Sequence, residues 1–192
     1  RTPTGAVKIN GLPFQVGPEG GGGHCFVALD GSSSGLKVDV NATAYSVIVA
    51  HRLLESDLWE GGVLGKTVAE YVFRLAGGHE ERVPIRERFD ISGPPAKPGQ
   101  SPSSFPYRAV NRYLDELPPR HEGRWEETGR RQTEATRGDA IGYSLWAWRN
   151  PHPDRKIESV EIVPSGPRFI VSAVTLGHVD EHPFVRQGRR EA

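Results

Sequence analysis

Along this chain apolar and polar residues alternate, or run together briefly, in short stretches separated by glycine, proline and serine. That is the pattern of strands, not helices. Ala6 to Val16 reads as two short strands reversed at Asn10-Gly11, a pair that adopts positive φ cheaply. His24 to Leu29 is a third strand, Leu36 to Val40 alternates, and Ala44 to His51 is almost continuously apolar, which places it mid-sheet with both faces covered. Lys66 to Leu75 fits either period, but its β-branched and aromatic content favours a strand. After Gly77-Gly78 comes Arg82 to Ile91, where the two-residue period puts Val83, Ile85, Phe89 and Ile91 on one face with Glu87 in the same row. A carboxylate so placed needs either the wet end of the sheet or an arginine from another strand.

The last third is read the same way. Gly142 to Arg149 ends at Asn150-Pro151-His152-Pro153, whose prolines cannot continue a ladder. Lys156 to Val163 and Pro167 to Leu176 follow, separated by Pro164-Ser165-Gly166. The reading is of consecutive antiparallel strands laid side by side. Trp146 and Trp148 share one face of the first of them and are assigned to the core. Together these elements predict an all-β fold, an antiparallel two-sheet β-sandwich, with a long irregular insert from about 92 to 139.

The 192 residues are read as one domain with its core over about 6–177 and a terminal tail over about 178–192. Lysine plus arginine equal aspartate plus glutamate, so no net field exists to hold nucleic acid or an anionic membrane. No apolar run approaches a membrane span. The single cysteine, Cys25, has no companion for a disulfide or a thiolate metal site. The lack of any methionine suggests a piece of a longer protein.

Candidate chemistry changes this picture only in places. Gly20 to Gly23 lacks the lysine and helix of a phosphate cradle. Asn41-Ala42-Thr43 matches a glycosylation sequon, a match common by chance. No Gly-x-Ser-x-Gly elbow is present, and nothing sets a separation between Glu87 and Glu126, Glu127 or Asp139, so a catalytic carboxylate pair is not defined. His178 and His182 flank Asp180-Glu181 and would share a helical face toward a metal, but Gly177 and Pro183 oppose a helix there. The insert is more suggestive. Tyr107 and Trp125 lie in it near Arg124 and Arg130, and Trp59 lies in the preceding loop, Arg52 to Gly65. Flat apolar rings beside forked donors suit a sugar or peptide. The same residues also suit pinning a long loop to a sandwich surface.

Ile9-Asn10-Gly11-Leu12-Pro13-Phe14, the apolar strand ending in His51, Ala69 to Phe73, Val83-Pro84-Ile85, Trp148 to Pro153, Lys156 to Glu161 and Ala173-Val174-Thr175 occur in an order that resembles galactose-binding-like β-sandwich domains. These are jelly-roll accessory modules found beside catalytic domains in bacterial glycoside hydrolases and related secreted hydrolases. The resemblance implies a non-catalytic role outside the cytoplasm, secreted or periplasmic, holding a carbohydrate or packing on an adjoining catalytic domain. Such modules often carry a structural calcium, although no acidic loop here is spaced for one. The expected ligand contacts are stacking on Trp59, Tyr107 and Trp125, with hydrogen bonds from Arg124, Arg130 and Glu87. A protein-interaction module without a sugar ligand, and a metal-dependent hydrolase built on His178 and His182, are the alternatives.

Overall fold

In the computed structural model the described residues are 5–9, 12–18, 23–57, 60–63, 65–87, 89–91, 133–134, 144–181 and 183–184. They form strands β1 (Gly5–Ile9), β2 (Leu12–Val16), β3 (Val27–Leu29), β4 (Leu36–Ala42), β5 (Ser46–Leu53), β6 (Thr67–Leu75), β7 (His79–Arg86), β8 (Thr133–Glu134), β9 (Ser144–Arg149), β10 (Ile157–Pro164) and β11 (Phe169–Gly177). One sheet has the order β4-β10-β6-β7. The other has the order β3-β11-β5-β9, with the two-residue β8 added at the β9 edge. All strand pairings are antiparallel, and the two sheets pack face to face as a β-sandwich.

Side-chain alternation decides what lies between the layers. On β6, Tyr71, Phe73 and Leu75 point inward, while Glu70 and Arg74 face out. From the other sheet, Val47, Val49 and Leu53 of β5 and Trp146 and Trp148 of β9 meet them. Phe73 stacks on Trp148 with ring centroids 3.8 Å apart and planes at 7°, and Tyr71 meets Trp146 edge-on at 5.4 Å. Each such pair contributes roughly 0.5–1.5 kcal/mol beyond the area it buries. Both tryptophans are therefore core, as the sequence predicts.

The opposite face of the β3-β11-β5-β9 sheet is covered too. Ile9, Phe14 and Val16 of the β1–β2 hairpin lie over Ile48 and Ala50 of β5, Leu145 and Ala147 of β9, and Ile170 and Ala173 of β11. This explains the unbroken apolar character of β5, which faces the sandwich core on one side and the hairpin on the other. The outer face of β6 is handled differently. Val72 is buried although it points out, because its neighbours in register are Glu161 on β10 and Arg82 on β7. Those side chains belong to a chain of ion pairs. Arg74 holds Glu161 at 2.7 Å and also binds Glu80, Arg82 bridges Glu80 and Glu70, and Lys37 lies 4.0 Å from Glu161. Their aliphatic stems shield the valine while their heads stay wet.

Three expectations are corrected. The last three long strands do not lie side by side. β9 and β11 both flank β5, whereas β10 sits in the other sheet between β4 and β6. The cause is legible in the alternation. Ile157, Val160 and Ile162 of β10 are buried and Glu158 and Val163 are exposed, which suits a sheet with one solvated face. β9 has Leu145 and Ala147 to bury on its second face and needs the sheet that carries the hairpin. The second correction concerns residues 82–91. β7 ends at Arg86, whose carbonyl accepts the N–H groups of Phe89 (3.2 Å), Asp90 (2.9 Å) and Ile91 (3.2 Å) in a tight turn. Phe89 is consequently exposed and does not share the inward face. The strand expected over His24 to Leu29 is also shorter, covering Val27–Leu29.

Because Trp148 joins the two layers, Trp148→Ala should cost about 3–5 kcal/mol in urea unfolding. Val163→Ala on the wet face of β10 should stay within about 0.5 kcal/mol of the parent. Equal effects of the two changes would contradict the packing described.

Candidate functional site

The register of the strands sorts their connections onto two ends of the sandwich. At one end Thr67 lies opposite Arg86, Leu53 opposite Phe169, His51 opposite Ser144, and Ala69 opposite Pro164. The connections 54–66, from β5 to β6, and 87–143, from β7 to β9 and including β8, both spring from there. At the other end the connections 43–45, 76–78 and 150–156 are short and braced by backbone hydrogen bonds. Tyr45 N donates to Gly177 O, Ala76 N to Lys156 O and Asn150 N to Tyr45 O, all at 2.8 Å. The Asn150 side chain, buried, donates to Ala44 O and accepts from His152 N, both at 2.9 Å. At the β6–β7 turn Gly77 and Gly78 take φ of 86° and 77°, a conformation that suits glycine.

Trp59 lies in the first long connection, and Tyr107, Arg124, Trp125 and Arg130 in the second. All five fall outside the described residues. What the structure establishes is that the strand ends carrying them belong to one end of the molecule. His178 ends β11 at the opposite end, exposed, two residues before Asp180, which pairs with Arg149 at 3.2 Å. His182 lies outside the described residues, among which no group of three or more His, Cys, Asp or Glu side chains is placed to hold a metal ion.

The long-connection end is built around a buried polar centre. His51, on the inward face of β5, makes two side-chain contacts: Nδ1 with the Tyr71 hydroxyl at 2.7 Å and Nε2 with the Asp90 backbone carbonyl at 2.9 Å. A carbonyl only accepts, so Nε2 carries the proton and Nδ1 accepts from the tyrosine hydroxyl. Burial holds the imidazole down to a pKa of about 4, against a smaller upward pull from the Asp90 carbonyl. It is neutral at physiological pH. Burial likewise raises the Tyr71 hydroxyl, and the Asp90 charge adds to that.

Asp90 itself is buried, and its Oδ2 accepts from Arg86 N at 2.8 Å and Arg86 Nε at 3.0 Å. Burial raises its pKa, and those Arg86 hydrogen bonds oppose the rise. The Trp146 indole N–H also faces it and lowers the pKa a little, although outside hydrogen-bonding geometry. Among the described residues, Asp90 Oδ1 and Trp146 Nε1 each have no partner within hydrogen-bonding geometry.

Glu87 is the one expected ligand contact among the described residues. It is fully buried, with relative exposure of 0%. Of the two settings the sequence allowed, the wet end of the sheet or an arginine from another strand, its contacts among the described residues show neither. Glu87 Oε1 accepts from the Ser56 hydroxyl, and its backbone N–H donates to Lys66 O at 2.9 Å, while Arg86 is committed to Asp90. Burial raises the Glu87 pKa, opposed first by the Ser56 hydrogen bond. The side chain thus fastens the 54–66 connection to the turn after β7. Beside it Lys66 and Asp57 form an exposed ion pair at 3.0 Å.

Tyr71, Asp90, Arg86 and Ser56 were not singled out from the sequence. Asp90 carried the only usable signal, a turn-forming residue four positions after an arginine at a strand end. Tyr71 looked like an ordinary core aromatic, and Ser56 like a loop polar residue. The class that fold and site define is an antiparallel β-sandwich whose long connections share one braced end. The chain matches no family model, no curated protein and no solved structure with which it was compared.

His51 makes a pH test sharp. Its ordinary value of 6.5 falls to about 4 on folding, so between those pH values the unfolded chain binds the extra proton. Its contribution to stability is intact above about pH 6.5 and is lost as the pH falls toward 4. His51→Gln can keep both contacts without titrating. The stability difference between parent and variant should shift against the parent by on the order of 3 kcal/mol from pH 7 to pH 4. A difference that stays constant in urea unfolding across that range would refute the assignment.

Glu87 should behave in the opposite sense. Its pKa rises on folding, so the parent gains stability as the pH falls through the folded value toward the ordinary 4.5. Glu87→Gln keeps the acceptor for Ser56 and removes the buried charge, so its advantage over the parent should be largest at neutral pH and shrink on acidification. Calorimetric melting of both proteins from pH 7 to pH 4 measures this.

Proposed function

We propose that this chain is a non-catalytic accessory module, of the galactose-binding-like β-sandwich type and belonging to a larger hydrolase, that binds carbohydrate at the long-connection end of its sandwich. The observation supporting this reading is the asymmetry of the two ends. One end is closed by short braced turns, while the other gives rise to both long connections and is held rigid from inside by His51, Asp90 and Glu87. Binding residues on β-sandwiches collect on loops held by such a scaffold. The connections at this end carry the aromatics and arginines suited to sugar rings: Trp59, Tyr107 and Trp125 for stacking, and Arg124 and Arg130 as donors to hydroxyls. The titratable groups of the polar centre lie beneath the surface and brace it, a role that fits binding better than turnover.

Native electrophoresis through gels containing soluble xylan, galactomannan, mixed-linkage glucan or pectic galactan tests the reading. At least one polymer should retard the protein, and Trp125→Ala and Tyr107→Ala should reduce that retardation. Unaltered migration through every gel, at polymer concentrations that retard a known sugar-binding module, would overturn it.

A further inference from the structure

We infer that Phe89 is a ligand-contacting platform, presented by a turn whose burial pattern is reversed to expose it, and that it takes a sugar ring. This deepens the carbohydrate-binding reading and rests on it.

Between Glu87 and Ile91 the chain buries two carboxylates, Glu87 and Asp90, while leaving a phenyl ring 45% exposed. Free energy of transfer favours the reverse arrangement, because an ionised carboxylate costs far more to bury than a phenyl ring costs to expose. Local choices that contradict burial are expected at functional sites. Single exposed apolar residues are ordinary on protein surfaces. Phe89 differs from them because its position is enforced. The Arg86 guanidinium lies over the ring, 5.2 Å from its centroid. Gly65, with φ of 80°, lies against the ring edge, and a Cβ there would stand 3.1 Å from Phe89 Cε2. On either side of it Glu87 is fastened to Ser56 and Lys66, and Asp90 to Arg86 and His51. A ring held this way loses little conformational entropy when a ligand stacks on it.

The surroundings select the occupant. The ring has a hydrogen-bonding cation against it, the Arg86 guanidinium. One flat apolar face with donors beside it matches a pyranose, whose C–H face stacks and whose hydroxyls radiate outward.

The test compares parent, Phe89→Ala and Phe89→Trp in the same polysaccharide gels, with melting temperatures measured alongside. Phe89→Ala should bind about tenfold more weakly, the effect of losing one stacked ring, and should melt within a few degrees of the parent. Phe89→Trp should bind as well as the parent or better. If the parent is retarded and Phe89→Ala is retarded equally, the platform is overturned while carbohydrate binding stands. If Phe89→Ala and Phe89→Trp lose binding alike, the ring is not a stacking surface and the inference fails. If no polymer retards the parent, both readings fall, and docking of an adjoining protein domain at this end takes their place.

Discussion

A neutral histidine, fully enclosed, fastens the end of the sandwich from which both long connections leave. The His51 backbone lies opposite Ser144, where the chain returns from its longest connection, and its ring grips the Asp90 carbonyl, where that connection departs. Its other nitrogen accepts from Tyr71 in the facing sheet. Three elements distant in sequence therefore meet on one imidazole, and the tautomer is fixed by the chemistry of its partners. Protonation would make Nδ1 a donor, so the Tyr71 hydroxyl would have to turn and lose the acceptor for its own proton, and burial would penalise the charge. Burial and bonding thus both favour the neutral ring.

Around this point the sandwich separates its duties by layer. The aromatic stack of Phe73, Trp148, Tyr71 and Trp146 joins the sheets. The hairpin β1–β2 closes the back of one sheet, and a run of paired charges shields the back of the other. Exposed ion pairs contribute little individually. The value of this run lies more in covering Val72 with aliphatic stems than in the charges themselves. The two sheets have solved the same problem, an apolar residue on an outer face, by different means.

Much of this was legible in the sequence, for a physical reason. Strand alternation, the two-sided apolar run of β5 and the stop at Asn150-Pro151 are local signals that the structure bears out, while Asn10-Gly11, read as a reversal, lie outside the described residues between the paired strands β1 and β2. Non-local facts were hidden. Whether β10 lies beside β9 or across from it depends on which face each strand must bury, and that information is split between Leu145, Ala147, Ile157 and Ile162. Carrying the two-residue period through Arg86 misled the reading of Phe89, because a turn resets the phase and periodicity has no means to announce that. Glu87 was recognised as a carboxylate in an inward row, but its partner Ser56, 31 positions earlier, gave no signal of its own.

The reset at Arg86 also governs how the end of the sandwich is made. Had the strand continued, Phe89 would have joined Glu87 in the inward row, and Asp90 would have faced water at no cost. Ending β7 at Arg86 brings Asp90 inside beside Glu87, where each must be satisfied by a side chain or backbone group, and those demands draw the 54–66 connection and β5 onto the turn. Buried polar groups of this kind contribute little net stability, since desolvation offsets what their bonds return. What they supply is position. A carboxylate that accepts only one arrangement of its neighbours fixes the root of both long connections, so where each connection leaves the sandwich is set by polar groups beneath the surface.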